Sequence, residues 1–395
     1  MSTSISAVKI ALATAFPPDP RQPRGGVEAV SVVLAEALAR DGDLDVHVVT
    51  AAVDQAVGEI VTHGSLTIHR LPWTARRMLT GAVGRDGRRV RDYVAALRCD
   101  VVHAHDTYGV MLRTLPTPRV LTIHGFIHED TRVSGEWWAR IRGRIWRQVE
   151  TAAWAAYPHI ISISPYVRER LRGIATGMIH DIENPIAEAF FGVARADTGR
   201  DIVSTATISP RKNTLGLVDA FARLRAQGFD ATLRLAGAPV GEYADQVRQR
   251  IAGLGLERHV DLLSEVPVDG VRHLLANASV MTLVSLEENA PLSIEEAMAV
   301  GVPVVTSNRC GMPYMVSHGE TGYLVDPNDS AEIAGRLAEL LGDDGLRLRM
   351  GSRGREIARD RFHPTEVARR TKRVYARALG AADVATTGPE RIRAR

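Results

Sequence analysis

Two carboxylates eight positions apart, Glu288 and Glu296, stand in Ser285-Leu286-Glu287-Glu288-Asn289-Ala290-Pro291-Leu292-Ser293-Ile294-Glu295-Glu296-Ala297-Met298-Ala299-Val300-Gly301. An apolar strand runs into a loop, Pro291 sits where a first helical turn begins, and Gly301 closes a short helix before the next strand. The unpaired amides and the positive end of that helix suit an anion, and a diphosphate is a natural occupant. Glu288 then lies in the loop beside the phosphate, and Glu296 lies inside the helix. Carboxylates so placed would repel a nucleotide unless they hold hydroxyls, which reads them as acceptors for sugar OH groups; for Glu296 the spacing alone equally fits an ordinary exposed acid at a helix start. Glu295 reads as an ordinary exposed acid of a first helical turn.

Lys212 is the second element, in Thr207-Ile208-Ser209-Pro210-Arg211-Lys212-Asn213 between a strand end and a helix that Asn213 could cap. Lys9, Lys212 and Lys372 are the only lysines among 49 basic residues. In a chain that otherwise uses arginine, a lysine at such a turn is a candidate point charge for phosphate. His124 ends the apolar run Leu121-Thr122-Ile123, and Gly125 removes a side chain beside it. That histidine is either a satisfied structural group or a site residue that a ligand can approach. Gly25-Gly26 allows the same backbone approach in the first loop.

These residues need strands behind them. Candidate strands are Val8 to Ala15, Asp45 to Thr50, Leu66 to Leu71, Asp100 to His105, Arg119 to His124 and His159 to Ser164. A second series runs Ile202 to Ile208, Ala231 to Ala236, Val260 to Ser264, Ser279 to Ser285, Pro303 to Ser307 and Tyr323 to Val325. Amphipathic segments alternate with them, which is the pattern of two doubly wound parallel sheets. Val30, Val33, Leu34, Ala37 and Leu38 repeat at helical spacing after the glycine loop. The periodicity fades between Asp181 and Arg200, so the division is expected at 1–188 and 189–362, followed by a helix over 363–380 and a polar tail over 381–395. Ligands bind beyond the carboxyl ends of such strands, and Gly25-Gly26, His105-Asp106, His124, Thr207 to Lys212 and Glu288 to Glu296 all follow strands.

Composition bounds the rest. The chain has 395 residues, 45% apolar and 24% charged, which excludes disordered and fibrous classes. No run reaches the roughly 18 apolar residues of a membrane span. A formal charge of +3 gives little reason to expect a nucleic-acid partner. Cys99 and Cys310 make no metal-ligand spacing, and the reducing cytoplasm is the expected compartment. The opening residues to Phe16 have a weak likeness to a secretory signal, but a first β-strand explains them better. Asp43-Leu44-Asp45 has the spacing of an Asp-x-Asp metal motif, yet it starts a strand and is read as structural, so no metal is expected.

Together these segments resemble glycosyltransferase family 4, the retaining nucleotide-sugar transferases of the GT-B fold. The likeness covers nearly the whole chain. Its sharpest part is Glu-x7-Glu at Glu288 and Glu296, running into Glu-Ala-Met-Ala-x-Gly-x-Pro-Val-Val, then Gly311-Met312-Pro313-Tyr314 and Gly319-Glu320-Thr321-Gly322-Tyr323-Leu324-Val325. The resemblance implies a Gly-Gly donor loop at Gly25-Gly26, an active-site histidine at His124 and a phosphate-binding lysine at Lys212. It implies that Glu288 holds the transferred sugar, Glu296 the ribose, and the amides near Leu292 and Ser293 the diphosphate. It also implies a last helix, Thr365 to Leu379, that crosses back to the first domain. Three positions depart from the family pattern: Thr207 where an arginine is common, with Arg211 as a partial substitute; Asn289-Ala290-Pro291 for Gly-Phe-Gly; and Asn184-Pro185 for Asn-Gly.

The implied activity is metal-independent, retaining transfer of a hexosyl-type unit from a nucleotide sugar, UDP-linked in slight preference to GDP-linked, without a further cofactor. The acceptor is a small molecule, a glycan or a lipid-linked hydroxyl. A nucleotide-sugar 2-epimerase on the same architecture is the alternative, and a dinucleotide dehydrogenase lacks its G-x-G-x-x-G. Trp137, Trp138, Arg140, Arg142, Arg144, Trp146 and Arg147 raise a non-enzymatic, surface-binding reading and peripheral contact with an anionic membrane. Packing of Trp138, Ile141, Ile145 and Val149 as one buried face is the favoured reading of that stretch.

Overall fold

A computed structural model describes residues 7–52, 58–129, 139–196 and 200–380. The β-rich runs form two sheets. The first contains β1 (Val8–Ala13), β2 (Leu44–Ala52), β3 (Glu59–His63), β4 (Leu66–Pro72), β5 (Val101–His105), β6 (Arg119–Ile123), β7 (His159–Ser162) and β8 (Met178–Asp181). Their order is β3-β4-β2-β1-β5-β6-β7-β8, parallel throughout except for the antiparallel pair β3 and β4. The second contains β9 (Asp201–Thr205), β10 (Thr232–Ala236), β11 (Val260–Leu262), β12 (Ala278–Leu283), β13 (Val304–Ser307) and β14 (Gly322–Val325), all parallel, in the order β11-β10-β9-β12-β13-β14.

Central strands such as β5 and β12 are buried along their whole length, so most of their residues are apolar, and the polar ones among them, such as His103, His105 and Thr282, are buried too. The edge strands β3 and β8, largely exposed, carry no such run and lie outside the sequence expectation. Each sheet winds outward in both directions from its first strand. The order therefore reverses between β1 and β5 in one sheet and between β9 and β12 in the other, where crevices form at the carboxyl ends. The loops leaving these four strands carry Gly25-Gly26, Asp106, Lys212 and Glu288.

The last helix, Pro364–Ala378, returns to the first sheet. Its Val367, Ala368, Val374 and Tyr375 share one core with Ile10, Leu12 and Leu38. Lys372 Nζ lies 2.9 Å from Asp41 Oδ2 and 2.7 Å from Asp43 Oδ1, and Asp45 Oδ2 lies 3.2 Å from His47 Nε2. Asp43 and Asp45 thus sit at the amino end of β2, the opposite end from the crevice.

The helix Ala139–Ala156 corrects the expected buried face. Trp146, Ala153 and Trp154 turn inward, with Trp154 edge-on to Phe126, because the large indoles remove more apolar surface from water than the isoleucines would. Val149 packs partly against that core as expected, but Ile141 and Ile145 are 47% and 42% exposed, and the exposed Arg144 and Arg147 line a groove with His128, Glu129 and Trp154. Trp137 and Trp138 lie outside the described residues, as does the 381–395 tail.

Candidate active site

The two crevices face each other across a cleft of about 630 Å³. Of the residues singled out in the sequence, Gly25, Gly26, Asp106, His124, Arg211, Lys212, Glu288, Asn289, Leu292, Ser293 and Glu296 line it. Thr207 does not. β9 ends at Thr205, and Ile208 then bridges to Pro239 with its N–H donating to Ala238 O, which leaves Thr207 exposed. Thr205 lines the cleft instead, with a buried hydroxyl that has no partner among the described residues.

The charged centre is built by two loops. Pro210–Lys212 forms a 3-10 turn after β9, stopped by Asn213 in the left-handed region at φ 55°, where asparagine is tolerated. The Asn213 amide donates to Pro327 O at 2.7 Å and pins the turn. Lys212 Nζ reaches Glu288 Oε1 at 2.5 Å, and Arg211 Nη1 reaches the same oxygen at 3.1 Å. Arg211 also donates to Glu287 O at 3.0 Å. One carboxylate oxygen therefore holds two cations, and the Glu288 residue is 7% exposed. The Gly311 N–H supports that loop by donating to Glu288 O at 2.8 Å. A side chain at Gly311 would overlap the backbone of Asn289, which accounts for glycine there.

The helix Leu292–Val300 starts beside this cluster and ends at Gly301 in the left-handed region, φ 87°. Its first amides, at Leu292 and Ser293, have no carbonyl partner within the helix and point their dipole into the cleft. Gly26 faces this end so closely that a Cβ on it would stand 3.6 Å from Leu292 Cδ1. Glu296, one turn in, is partly buried, and loss of water raises its carboxyl to about 8, so it carries a proton at neutral pH. Glu295 corrects the expected exposed acid: it is fully buried, neither oxygen has a partner among the described residues, and burial lifts its carboxyl well above the usual range.

His124 sits on the other wall. Asp106, itself at φ 42°, accepts from the His124 N–H at 2.7 Å and the Gly125 N–H at 3.4 Å. That carboxylate therefore shapes the histidine loop. Burial pushes the His124 imidazole below its ordinary range, against the opposing charge of Asp106. Asn289 Nδ2 donates to His124 O at 3.0 Å and joins the two halves of the cleft directly.

Sequence reasoning missed Arg24, Thr107, Glu129 and the Asn184 side chain as lining residues. Asn184 follows β8, so the strand-end rule would have found it had that short edge strand been legible.

The family model described as Glycosyltransferase Family 4 matches residues 24–189, and the one described as Glycosyl transferases group 1 matches residues 186–357. The chain is 33% identical over 164 residues to N-acetyl-alpha-D-glucosaminyl L-malate synthase of Bacillus anthracis, covering 42% of each chain. It is 29% identical over 305 residues to MMP alpha-(1->4)-mannosyltransferase of Mycolicibacterium hassiacum, covering 71% of each. The matched stretch thus spans under half the length of the first relative. Among solved structures, Anabaena HepE in complex with UDP-glucose superposes with a TM-score of 0.70 at 19% identity, covering 95% of this chain and all of that one.

Proposed function

The chain is a member of glycosyltransferase family 4, and from that membership we propose that it moves a hexosyl-type sugar from a nucleotide-sugar donor to an acceptor hydroxyl with retention of anomeric configuration. One observation carries the reading: Lys212 and Arg211 converge on Glu288 at the mouth of a helix whose first two amides have no backbone partner among the described residues, opposite a glycine pair. That arrangement supplies fixed positive charge for a diphosphate and carboxylate oxygens for hydroxyls in one place.

In this reading the diphosphate takes the two cations from Glu288 and lies on the Leu292 and Ser293 amides. Glu288 is then released to accept from the transferred sugar, and Glu296 accepts from the ribose. The anomeric C–O bond to phosphate breaks as positive charge grows on the sugar, and Lys212, Arg211 and the helix dipole stabilise the departing diphosphate without a metal. The acceptor oxygen bonds to the anomeric carbon on the face the leaving group vacates, and its proton passes to the leaving phosphate oxygen. UDP is favoured over GDP, in keeping with the UDP-glucose bound by HepE.

The family membership and the transferase and synthase names of the relatives favour transfer over epimerisation. A thermal-shift panel of UDP, GDP, ADP and dTDP tests the donor, since a ligand bound by the native state alone raises the melting temperature. UDP is expected to give the largest rise, and no rise with any of the four would remove the reading. Product analysis without added acceptor separates a transferase from a 2-epimerase.

A further inference from the structure

Behind His124 lies a buried row of hydrogen-bonding groups whose direction can be deduced proton by proton. Ser31, on the helix Gly26–Ala39, has its Oγ 2.7 Å from Val27 O and 2.7 Å from Thr14 Oγ1. A carbonyl oxygen has no proton, so the single hydroxyl proton of Ser31 must lie toward Val27. Thr14 has one other acceptor, Ala15 O, but at 3.4 Å it is far longer than the 2.7 Å contact to Ser31, so the proton in the Ser31–Thr14 contact belongs to Thr14. Thr14 Oγ1 is also 3.1 Å from His105 Nδ1, and with its own proton already committed it can only accept there. His105 thus carries its proton on Nδ1. The same nitrogen is 3.1 Å from His124 Nε2, which must face it with a lone pair.

His105 Nε2 is buried with no partner among the described residues, whereas a proton on it would be a donor stranded without an acceptor. Thr14 and Ser31 are 0% exposed and His105 is 1% exposed, so water cannot reverse the chain. Burial pushes His105 well below the ordinary imidazole range, with His103 and His124 adding to the shift, so the ring is neutral.

We infer that Ser31, Thr14 and His105 form a one-directional hydrogen-bond chain that fixes neutral His124 with its proton on Nδ1. His105 is in this sense a positioning residue. His124 offers an N–H, not a lone pair, to its remaining neighbours, the Asn184 side chain and a substrate in the cleft, and its Nε2 lone pair, facing His105, is not a base for the acceptor hydroxyl. The kinetic consequence rests on the sugar-transfer reading of the cleft, but the tautomer does not.

Proton-detected nitrogen NMR of the full chain labelled with 15N-histidine tests it, with His105 and His124 assigned from single His→Gln variants. Both rings are expected as Nδ1–H with bare Nε2. In Ser31→Ala the Thr14 proton is freed to point at His105 Nδ1, and both rings are expected to switch to Nε2–H. Thr14→Ser keeps the hydroxyl and should keep the wild-type spectrum. With a donor found by the nucleotide panel, Ser31→Ala should lower kcat about tenfold at unchanged donor KM, and Thr14→Ser should not. An Nε2–H tautomer at either ring in wild type, or an unaltered spectrum in Ser31→Ala, would overturn the inference. A switched spectrum with unchanged kcat would keep the chain but remove its role in transfer.

Discussion

Glu288 is held by Lys212 and Arg211 through one oxygen, so each of the three is both a ligand candidate and a counter-ion for the others. Lys212→Ala and Glu288→Ala are each expected to lower turnover by about two orders of magnitude with the fold retained. Steady-state kinetics beside circular dichroism checks this, and near-wild-type turnover in both contradicts it. Glu296 gives a second, pH-dependent test. Its folded pKa of about 8 stands above the ordinary 4.5, so its contribution to stability is intact below about pH 4.5. The contribution is lost progressively up to about pH 8, as the unfolded chain ionises first. Glu296→Gln should therefore gain in melting temperature over wild type across that interval and level off above it, and a gap independent of pH would contradict the assignment. The glutamate spacing was legible because a loop, Pro291 and Gly301 frame it. The burial of Glu295 was not, since a first-turn acid carries no mark of what packs against it.

At the scale of elements, apolar patterning found the central strands and missed β3 and β8, whose edges are wet and polar. The same limit misplaced Thr207. The sequence shows where an apolar run stops, but Ile208 belongs to a backbone bridge beyond the strand and not to the strand itself. On the helix Ala139–Ala156 the spacing pointed to Ile141 and Ile145 as part of the inward face, and the bulk of Trp146 and Trp154 turned the helix away from it. Ile141 and Ile145 are exposed and Arg144 stands one turn from Ile141, so contact of this face with an anionic bilayer is open to direct test. The protein is expected to sediment with vesicles containing anionic phospholipid, to be released by salt, and to ignore neutral vesicles. Ile141→Asn with Ile145→Asn should abolish the binding. Absence of sedimentation with anionic vesicles would contradict a membrane role for this face.

For the whole molecule, the cleft exists because two sheets reverse strand order opposite one another; the alternation of strands and helices made the two doubly wound sheets readable, and only the family resemblance implied that they face each other. How the halves are joined was less so. The C-terminal helix crosses back through Lys372 and through Tyr375, whose hydroxyl contacts His103 Nδ1 at 2.7 Å, a pairing 272 residues apart that no local pattern announces. Tyr375→Phe strands that nitrogen and is expected to cost about 1–3 kcal/mol in urea unfolding. No change would mean that the crossing helix is held by its apolar face and the Lys372 ion pairs, with nothing added by this hydrogen bond. In the proposed transfer a diphosphate sits at the start of the helix Leu292–Val300 beside Lys212. A crystal structure with bound UDP tests it most directly: the β-phosphate is expected within hydrogen-bond distance of Lys212 Nζ and the Ser293 amide, with Glu288 freed. A diphosphate bound elsewhere, with Lys212 still on Glu288, would contradict the account.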